Sequence, residues 1–245
     1  MPELSVLIPM LNPRDEVKCL DDLDRQSFSA FEILIQDEES ATKGGTLVSN
    51  GQTSRNLCFW TIANALRKDN LNLISEILYD EAAVSGRTIH PRDDIFTRRF
   101  AGHCDFGDSA RYVTRFWGCN MAVRREVFET VGLWDERIPW GHEEKELADR
   151  VLEAYPIYYD PGAVVRHPYA DSILEYWTKR YRLEKQTPYY WETKGIDDRE
   201  KWLKIGRDAC DPTNYAGLSL AHALARTGGT VAATLGRIRG MSRRQ

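Results

Sequence analysis

The first 36 residues carry the pattern that most constrains the fold of this chain. Leu4 to Ile8 form a short β-rich run that ends at Pro9, as expected of a buried strand that stops where proline removes a backbone donor. A second apolar run covers Phe31 to Ile35. The apolar residues between the two runs recur at helical spacing, at Val17, Leu20 and Leu23. A strand, a helix and a strand within about 35 residues predict a right-handed βαβ unit, and therefore an α/β fold.

Polar segments follow both of these predicted strands. Pro9 to Asn12 come directly after the first strand, and Asp37 to Ser40 come after the second. Ligands of open α/β sheets bind outside the carboxyl ends of the parallel strands. We therefore expect these two segments to contribute to a binding site.

The later part of the chain alternates between helical and extended patterns. We predict helices from Leu57 to about Tyr79 with an interruption at Asp69 and Asn70, near Arg125 to Val131, from Glu143 onward, and from Ile173 to Lys185. We predict strands from Ala82 to Ile89, within Phe116 to Val123, and on both sides of a turn at Asp160, Pro161 and Gly162.

Charge and cysteine content narrow the class of function. The chain has 245 residues, 42% of them hydrophobic, and a net charge of −4, which suits one domain with or without an appendage. Residues 215–245 contain five arginines and no acid, so the body is acidic, which argues against nucleic-acid binding. Five scattered cysteines without a C-x-x-C pair suit neither a disulfide scaffold nor a zinc site. Without a signal peptide or an apolar run of about 18 residues, we expect a cytoplasmic protein.

Seven short motifs follow one another between residues 4 and 185. They are Ser5–Asn12, Phe31–Ser40, Ser54–Asn56, Trp117–Arg125, Gly132–Glu136, Gly141–Arg150 and Val164–His167. In this order they resemble the inverting family 2 glycosyltransferases of the GT-A fold, which transfer a sugar from a nucleotide-sugar to an acceptor. The resemblance implies a Rossmann-like, mixed and mostly parallel sheet flanked by helices over residues 1–204. Residues 205–245 are then a C-terminal helical and basic appendage.

The resemblance implies a donor site near the ends of the first strands. Its residues are Pro9, Asn12, Asp37, Ser40 and Arg55. Asp37 is expected to accept hydrogen bonds from the nucleotide base and ribose, and Arg55 to pair with phosphate or hold the loop over the base. The alternatives are an ordinary strand-end acid for Asp37 and a surface salt bridge for Arg55.

The resemblance also implies a wall where the donor sugar and the acceptor meet. Its residues are Trp117, Gly118, Asn120 and Trp140. Trp117 offers an aromatic platform for a sugar face, although a tryptophan is more often a core residue. Asn120 offers an amide to sugar hydroxyls, or else sets the shape of the site together with Gly118.

The expected catalytic base lies in an acidic pair at the start of a helix. The family places Glu-Asp there, whereas this chain has Glu143 and Glu144. Glu144 stands at the position of the base with one extra methylene, and Glu143 is the alternative. Adjacent carboxylates repel, which raises a pKa toward neutrality and suits a base. The plain alternative is a helix N-terminus whose acids complement the helix dipole.

The chain departs from the family at the metal site. In GT-A enzymes, an Asp-x-Asp motif stands at the end of a strand that follows the family's A-R-N segment, which Ser54–Asn56 resembles here. The carboxylates of that motif hold Mg²⁺ or Mn²⁺ against the diphosphate. That motif is absent here. In one alignment, Leu71 to Tyr79 form a helix before the strand at residues 82–87, so that the sheet lacks the metal strand in its middle. In the other, residues 77–81 form that strand, and Asp80 and Glu81 are surrogate ligands. The first alignment fits a longer stretch. His167 aligns with a histidine that some GT-A enzymes use near the metal.

These observations leave three functions open. The leading one is an inverting glycosyltransferase that uses a nucleotide-sugar donor and a saccharide or lipid-linked acceptor to build a cell-surface glycan. The rival is a catalytically impaired GT-A module that binds a nucleotide or a partner. The third is a metal-independent transferase in which Arg or Lys side chains replace the cation.

The arginine-rich tail also has two interpretations. The segment from Leu218 to Leu235 is moderately apolar, and Arg237, Arg239, Arg243 and Arg244 follow it. Such a segment suits peripheral binding to an anionic membrane surface. Alternatively, it is a helix that packs on the catalytic body and ends in a basic tail.

Overall fold

The computed structural model describes residues 4–9, 23–27, 29–36, 57–60, 65–66, 69–90, 105–138, 141–167, 169–170 and 172–242. The chain divides into two compact units. The sheet unit comprises Met1–Arg92, Ala101–Leu133 and Leu147–Pro168. The helical unit comprises Asp93–Phe100, Trp134–Glu146 and Tyr169–Gln245.

The sheet unit contains a mixed sheet with eight strands in the described part of the chain. The strands are β1 (Leu4–Pro9), β2 (Phe31–Gln36), β3 (Leu57–Trp60), β4 (Ala65–Leu66), β5 (Ala83–Ile89), β6 (Arg111–Val113), β7 (Met121–Arg124) and β8 (Ile157–Arg166). Their order across the sheet is β2, β1, β3, β7, β5, β8, β4, and β6 also pairs with β8.

The two strands of the predicted βαβ unit are confirmed. β1 and β2 are parallel, with Leu4 opposite Phe31 and Pro9 opposite Gln36. Their carboxyl ends therefore lie at the same edge of the sheet, as ligand binding at that edge requires. Most of the intervening segment lies outside the described residues, although the side chain of Leu23 is buried.

The sheet is mixed, as predicted. β1 is parallel to both β2 and β3, and β5 is parallel to β8. β7 is antiparallel to its neighbours β3 and β5, and β4 and β6 are antiparallel to β8. Antiparallel pairing therefore contributes more to this sheet than a mostly parallel prediction implies.

The middle of the sheet differs from the prediction. Residues 57–60 were predicted to be helical, yet they form β3, which pairs with β1 on one side and with β7 on the other. The expectation that the sheet lacks a strand in its middle is therefore wrong. The strand is present but short, and it begins directly after the segment at residues 54–56. Its apolar sequence Leu-Cys-Phe-Trp fits a strand that is paired on both sides.

Two helices of the sheet unit agree with the sequence analysis. Helix α1 (Asn70–Asp80) buries Leu71, Ile74 and Leu78, which share one helix face, and packs on β5, β7 and β8. The prediction of a helix before the strand at β5 is confirmed. Helix α2 (Arg125–Val131) follows β7 directly and is also confirmed.

The predicted turn at Asp160, Pro161 and Gly162 is a bulge within one strand. β8 runs through these residues, but its register with β5 shifts, so that Gly86 pairs with Asp160 and Arg87 pairs with Val164. The carboxylate of Asp160 accepts a hydrogen bond from the Gly162 amide at 2.7 Å. This bond satisfies a backbone donor in the bulge, where the pairing of β8 with β5 is interrupted.

The helical unit contains three long helices in the described part of the chain. They are α4 (Ile173–Thr193), α5 (Asp198–Cys210) and α6 (Leu220–Ser242), and a short 3-10 turn (Pro212–Tyr215) precedes α6. Helix α3 (Glu143–Val151) begins in this unit and ends in the sheet unit. Helix α4 was predicted to end at Lys185, but it continues through Pro188 for two more turns.

Small residues bring α6 close to α4. Ala225, Gly229, Ala233, Gly236 and Gly240 are buried and recur every three or four residues along α6. A methyl group on Gly236 would lie 2.5 Å from the backbone oxygen of Tyr181 in α4. Helix α6 therefore packs along α4, as the second interpretation of the tail expected. The longest segment of the helical unit runs from Tyr169 to Gln245, and the predicted division at residue 205 stays a prediction.

Within the described ranges, no helix is both long enough and apolar enough to cross a bilayer.

Candidate functional site

The acidic pair stands at the first turn of helix α3, where the sequence analysis placed it. Glu143 is the first residue of the helix and Glu144 is the second. Gly141 and His142 precede them with backbone φ angles of 77° and 75°. His142 is thus a non-glycine residue in the left-handed region, a conformation that costs about 1 to 3 kcal/mol. The carbonyl of His142 accepts the Glu146 amide at 2.9 Å, so its backbone conformation sets the direction in which α3 starts.

The electrostatics of the pair suit a general base. Burial, together with the charge of Glu144, raises the pKa of Glu143 to about 7. Burial also raises the pKa of Glu144. A carboxylate with a pKa near neutrality binds a proton more readily than a solvated one and is still ionised in part of the molecules. The two carboxylates titrate as a pair, because they are adjacent on the same turn.

Helix α4 holds the segment before the acidic pair through Tyr189. The hydroxyl of Tyr189 donates to Asp135 Oδ2 at 2.7 Å, and the guanidinium of Arg137 lies over the Tyr189 ring at 5.1 Å. Arg137 Nε also donates to Asp135 Oδ1 at 2.9 Å. The hydrogen bond from Arg137 outweighs the effect of burial and, with that from Tyr189, lowers the pKa of Asp135 to about 2. Asp135 therefore stays ionised as an anchor for this loop.

Asn120 is a clamp inside the sheet unit. It is completely buried, and its Nδ2 group donates to the carbonyls of Ala163 and Arg87 at 2.8 and 3.0 Å. The backbone carbonyl of Asn120 accepts a hydrogen bond from the Gly86 amide at 2.9 Å. Asn120 thereby joins β5 to β8 where their register shifts. Because both amide hydrogens face backbone carbonyls, the side chain sets the shape of this region and has no donor left for a sugar hydroxyl.

Trp117 is a core residue in this structure. Its side chain is 7% exposed, and the Phe106 ring lies 5.5 Å from its own. The guanidinium of Arg115 lies 6.0 Å from the indole. The interpretation of Trp117 as an open platform for a sugar is therefore not supported by its exposure. Gly118 follows it and is half-buried.

An ion-pair cluster joins β5 to residues 105–108 in the sheet unit. Arg87 Nη2 and Nε donate to Asp105 Oδ2 at 2.8 and 3.0 Å, and Arg87 Nη1 donates to Asp108 at 2.6 Å. Tyr159 donates to the carbonyl of Gly107 at 2.8 Å. These contacts fix residues 105–108 on β5 and β8. No sequence motif pointed to these residues.

Several predicted site residues cannot be placed. Asn12, Asp37, Ser40, Arg55 and Trp140 lie outside the described residues. Pro9 is the last residue of β1, and only its backbone is described. Trp117, Gly118 and Asn120 belong to the sheet unit, whereas Glu143 and Glu144 belong to the helical unit.

The alignment that offered Asp80 as a metal ligand is wrong. It required residues 77–81 to form a strand, but Asp80 is the exposed last residue of helix α1. It precedes β5, whereas His167 follows β8 and donates its amide to the carbonyl of Ile89, the last residue of β5. Since β5 and β8 are parallel, Asp80 and His167 stand at opposite ends of β5, about 20 Å apart.

The described residues do not fit a divalent cation. They include no group of three or more His, Cys, Asp or Glu side chains that could hold one. Strand β3 takes the position beside β1, and residues 57–66, which cover it and the segment that follows, contain no Asp or Glu. The acidic ligands that the resemblance implies at the end of this strand are thus missing from the sequence itself.

Four side chains near the acidic pair were not predicted from the sequence to be site residues. They are His142, Glu184, Thr187 and Arg237, which form connected contacts in the helical unit. Glu184 is 53 residues from Arg237 in the chain, so no local spacing links them. The one available signal was His142 itself, which stands directly before the acidic start of a predicted helix.

Comparison with known proteins gives a likeness of fold. No protein-family model and no curated protein matches the chain. Among solved structures, the chain resembles the mannosyltransferase PcManGT from Pyrobaculum calidifontis in complex with GDP-Man and Mn²⁺, at 18% identity and a TM-score of 0.54. This match covers 99% of our chain and 86% of that one. S. aureus TarS matches over 96% of our chain and 55% of its own, at 12% identity and a TM-score of 0.49.

The likeness to PcManGT extends over nearly the whole chain. It shows that the chain has an α/β fold of the kind found in that glycosyltransferase, with a mixed sheet flanked by helices. The fold that the motif order implied is therefore confirmed. At this level of identity, the likeness concerns the fold alone.

Proposed function

We propose that this protein is an inverting glycosyltransferase that transfers a sugar from a nucleotide-sugar to a saccharide or lipid-linked acceptor. The observation that carries the proposal is the half-buried acidic pair Glu143 and Glu144, which stands at the start of α3 and whose pKa values are raised. The fold shared with a solved mannosyltransferase supports the same class of reaction. Catalysis is argued from the pair, because a fold by itself does not specify a function.

In the proposed reaction, Glu144 acts as the general base. Its carboxylate takes the proton of the acceptor hydroxyl while that oxygen attacks the anomeric carbon of the donor sugar. The bond from the anomeric carbon to the diphosphate oxygen breaks, the nucleoside diphosphate leaves with the bonding electrons, and the anomeric configuration inverts. Proton transfer to a positioned base contributes typically about 10²- to 10⁴-fold to a rate. Glu143 takes this role if the acceptor lies nearer to it.

We propose that the donor nucleotide binds through Asp37 and Arg55, together with Pro9, Asn12 and Ser40. Carboxylate and guanidinium groups suit the base, the ribose and the phosphates. We also propose that Trp140 contacts the acceptor, beside the acidic pair in sequence. No step of the proposal passes through a cation, because the described residues do not fit one.

The experiment is a donor screen. Purified protein is mixed with a panel of nucleotide-sugars and with saccharide and lipid-linked acceptors, with and without Mn²⁺, and release of nucleoside diphosphate is measured. We expect release that depends on both a donor and an acceptor. Donor binding without release under every condition would contradict the enzyme and favour the second candidate.

That second candidate is a GT-A-like module that binds a nucleotide or a partner without transferring sugar. The observation that favours it is the lack of acidic residues along residues 57–66, beside β1. Binding in the donor screen without turnover is the outcome that this candidate predicts.

We also propose that the outer face of α6 binds an anionic membrane surface. Leu224, Val231 and Leu235 are each more than half exposed on this helix, and residues 215–245 contain no acid. Apolar burial plus basic charge is what binds such helices to anionic lipid. Sedimentation with phosphatidylserine vesicles and with neutral vesicles tests the idea. We expect binding to the anionic vesicles that Leu235→Glu abolishes, whereas equal absence of binding to both would contradict it.

A further inference from the structure

A buried chain of polar contacts runs from helix α6 to the residue that precedes the acidic pair. Arg237 of α6 donates from Nε to Glu184 Oε2 at 2.6 Å, and Thr187 donates to the same carboxylate oxygen at 2.8 Å. Thr187 Oγ1 lies 2.8 Å from His142 Nε2. We call His142, Thr187, Glu184 and Arg237 the buried polar chain. All four residues belong to the helical unit.

The ionised carboxylate of Glu184 determines the direction of the hydrogen bonds in the buried polar chain. Arg180 and Arg237 outweigh the effect of burial and lower the pKa of Glu184 to about 2, so this carboxylate is an acceptor only. Thr187 must therefore direct its proton at Glu184, and its oxygen is left to accept the Nε2 hydrogen of His142. Burial lowers the pKa of His142 to about 3, so the ring is neutral with its proton on Nε2.

The buried polar chain compensates for an unfavourable backbone. His142 has a φ angle of 75°, where a side chain is strained. Its imidazole stacks on the Tyr190 ring with centroids 5.3 Å apart, and its Nε2 is held by Thr187. Both contacts come from α4. The strained residue is thus fixed by side-chain contacts at the point where its carbonyl receives the amides of Lys145 and Glu146.

We propose that the buried polar chain is a positioning device that fixes the first turn of α3, and with it the carboxylates of Glu143 and Glu144. This inference rests on the proposed function for its catalytic consequence. None of the four residues is assigned a contact with substrate. They act through the backbone of His142, so that a change at Thr187 alters where the base stands without altering the base itself.

The proposal gives an arginine of the tail a role inside the protein. Arg237 also donates from Nη1 to Asp208 of α5 at 2.9 Å, and its guanidinium lies 5.2 Å from the Trp191 ring. Only 13% of its side chain is exposed. Arg237 is therefore committed to the helical unit and is removed from the set of arginines that the sequence analysis offered to a membrane.

The test compares Thr187→Val with Thr187→Ser. Valine has the shape of threonine but neither donates to Glu184 nor accepts from His142, whereas serine keeps the hydroxyl. Thr178→Val on α4 is the matched control, because the Thr178 hydroxyl bonds only within its own helix to the Leu174 carbonyl among the described residues and is exposed. His142→Gly is a second loss variant, since glycine adopts a positive φ without strain and the variant is expected to fold.

The first readout is hydrogen exchange at the amides of Lys145 and Glu146. We expect faster exchange in Thr187→Val and His142→Gly and wild-type exchange in Thr187→Ser and Thr178→Val. Unchanged exchange in both loss variants would overturn the proposal. This readout requires no turnover, so it is independent of whether the proposed function is correct.

The second readout is steady-state kinetics with the donor that the screen identifies. We expect Thr187→Val to lower kcat about tenfold or more with the donor KM within about twofold, because misplacing a base affects the transition state more than binding. Thr187→Ser should restore kcat. Equal kcat in Thr187→Val and the wild type would overturn the positioning role. Failure of the proposed function would instead show as absent wild-type turnover with the exchange result intact.

Discussion

At the scale of single residues, Glu143 links the proposed chemistry to stability. Its pKa of about 7 in the folded protein lies above the value near 4.3 expected in the unfolded chain. Below about pH 4 both states are protonated, so the shift has no effect there. As the pH rises toward 7, the folded state holds the proton more tightly than the unfolded state, and wild-type stability falls.

Glu143→Gln should therefore stabilise the protein at pH 8 by about 1 to 3 kcal/mol and have little effect at pH 4. Urea unfolding of both proteins at the two pH values measures this difference. Glu153→Gln, at an exposed position after α3, is the control and should change stability little at either pH. A Glu143→Gln variant that is less stable at pH 8 would show that the ionised carboxylate is a favourable partner at the helix N-terminus.

Asn120 tests the distinction between a clamp and a ligand. In Asn120→Asp, a carboxylate would face the carbonyls of Arg87 and Ala163 that the amide now satisfies. We expect a loss of about 3 kcal/mol or more of unfolding free energy, measured by denaturant titration. Asn72→Asp, on the exposed side of α1, exchanges a hydrogen bond to Glu76 for a solvated like-charge pair and should cost less than about 1 kcal/mol. Normal stability with loss of nucleotide-sugar binding would instead identify Asn120 as a ligand.

At the scale of secondary-structure elements, the packing of α6 on α4 depends on small residues. Gly236→Ala would place a methyl group 2.5 Å from the Tyr181 backbone oxygen, which cannot move without shifting α4. We expect a loss of about 1 to 3 kcal/mol, as for other overpacked sites, measured by thermal and urea unfolding.

Gly206→Ala is the matched control for that substitution. Gly206 is an exposed residue of α5, and a methyl group there would meet no other atom within 4 Å. Because alanine favours a helix, this variant should gain about 1 kcal/mol. A gain in both variants would contradict close packing of α6 on α4.

The elements that could be predicted are those with long or repeated patterns. The strands β1, β2 and β5 and the helices α1 and α2 follow from apolar runs and helical spacing. Strand β3 was missed because a four-residue apolar run followed by more apolar residues also fits the start of a helix. Its pairing with β1 and β7 decides its conformation, and that pairing is set by residues distant in the chain.

At the scale of the whole molecule, the order of the motifs predicted the fold better than any single motif. It gave a mixed α/β sheet, which the structure confirms, and it placed the acidic pair at the start of a helix, where α3 begins. The buried polar chain could not be predicted, because His142, Thr187 and Arg237 are brought together only by tertiary packing.

The central claim is that the acidic pair at α3 is the catalytic base of a sugar transfer. The most direct measurement is the rate of transfer by the wild type, Glu144→Gln and Glu143→Gln, with donor affinity measured in parallel. We predict that Glu144→Gln lowers the rate by about 10² to 10⁴-fold while the donor Kd stays within about twofold, and that the wild-type rate rises with pH as the acidic pair ionises. Equal rates in the wild type and both variants would contradict the claim.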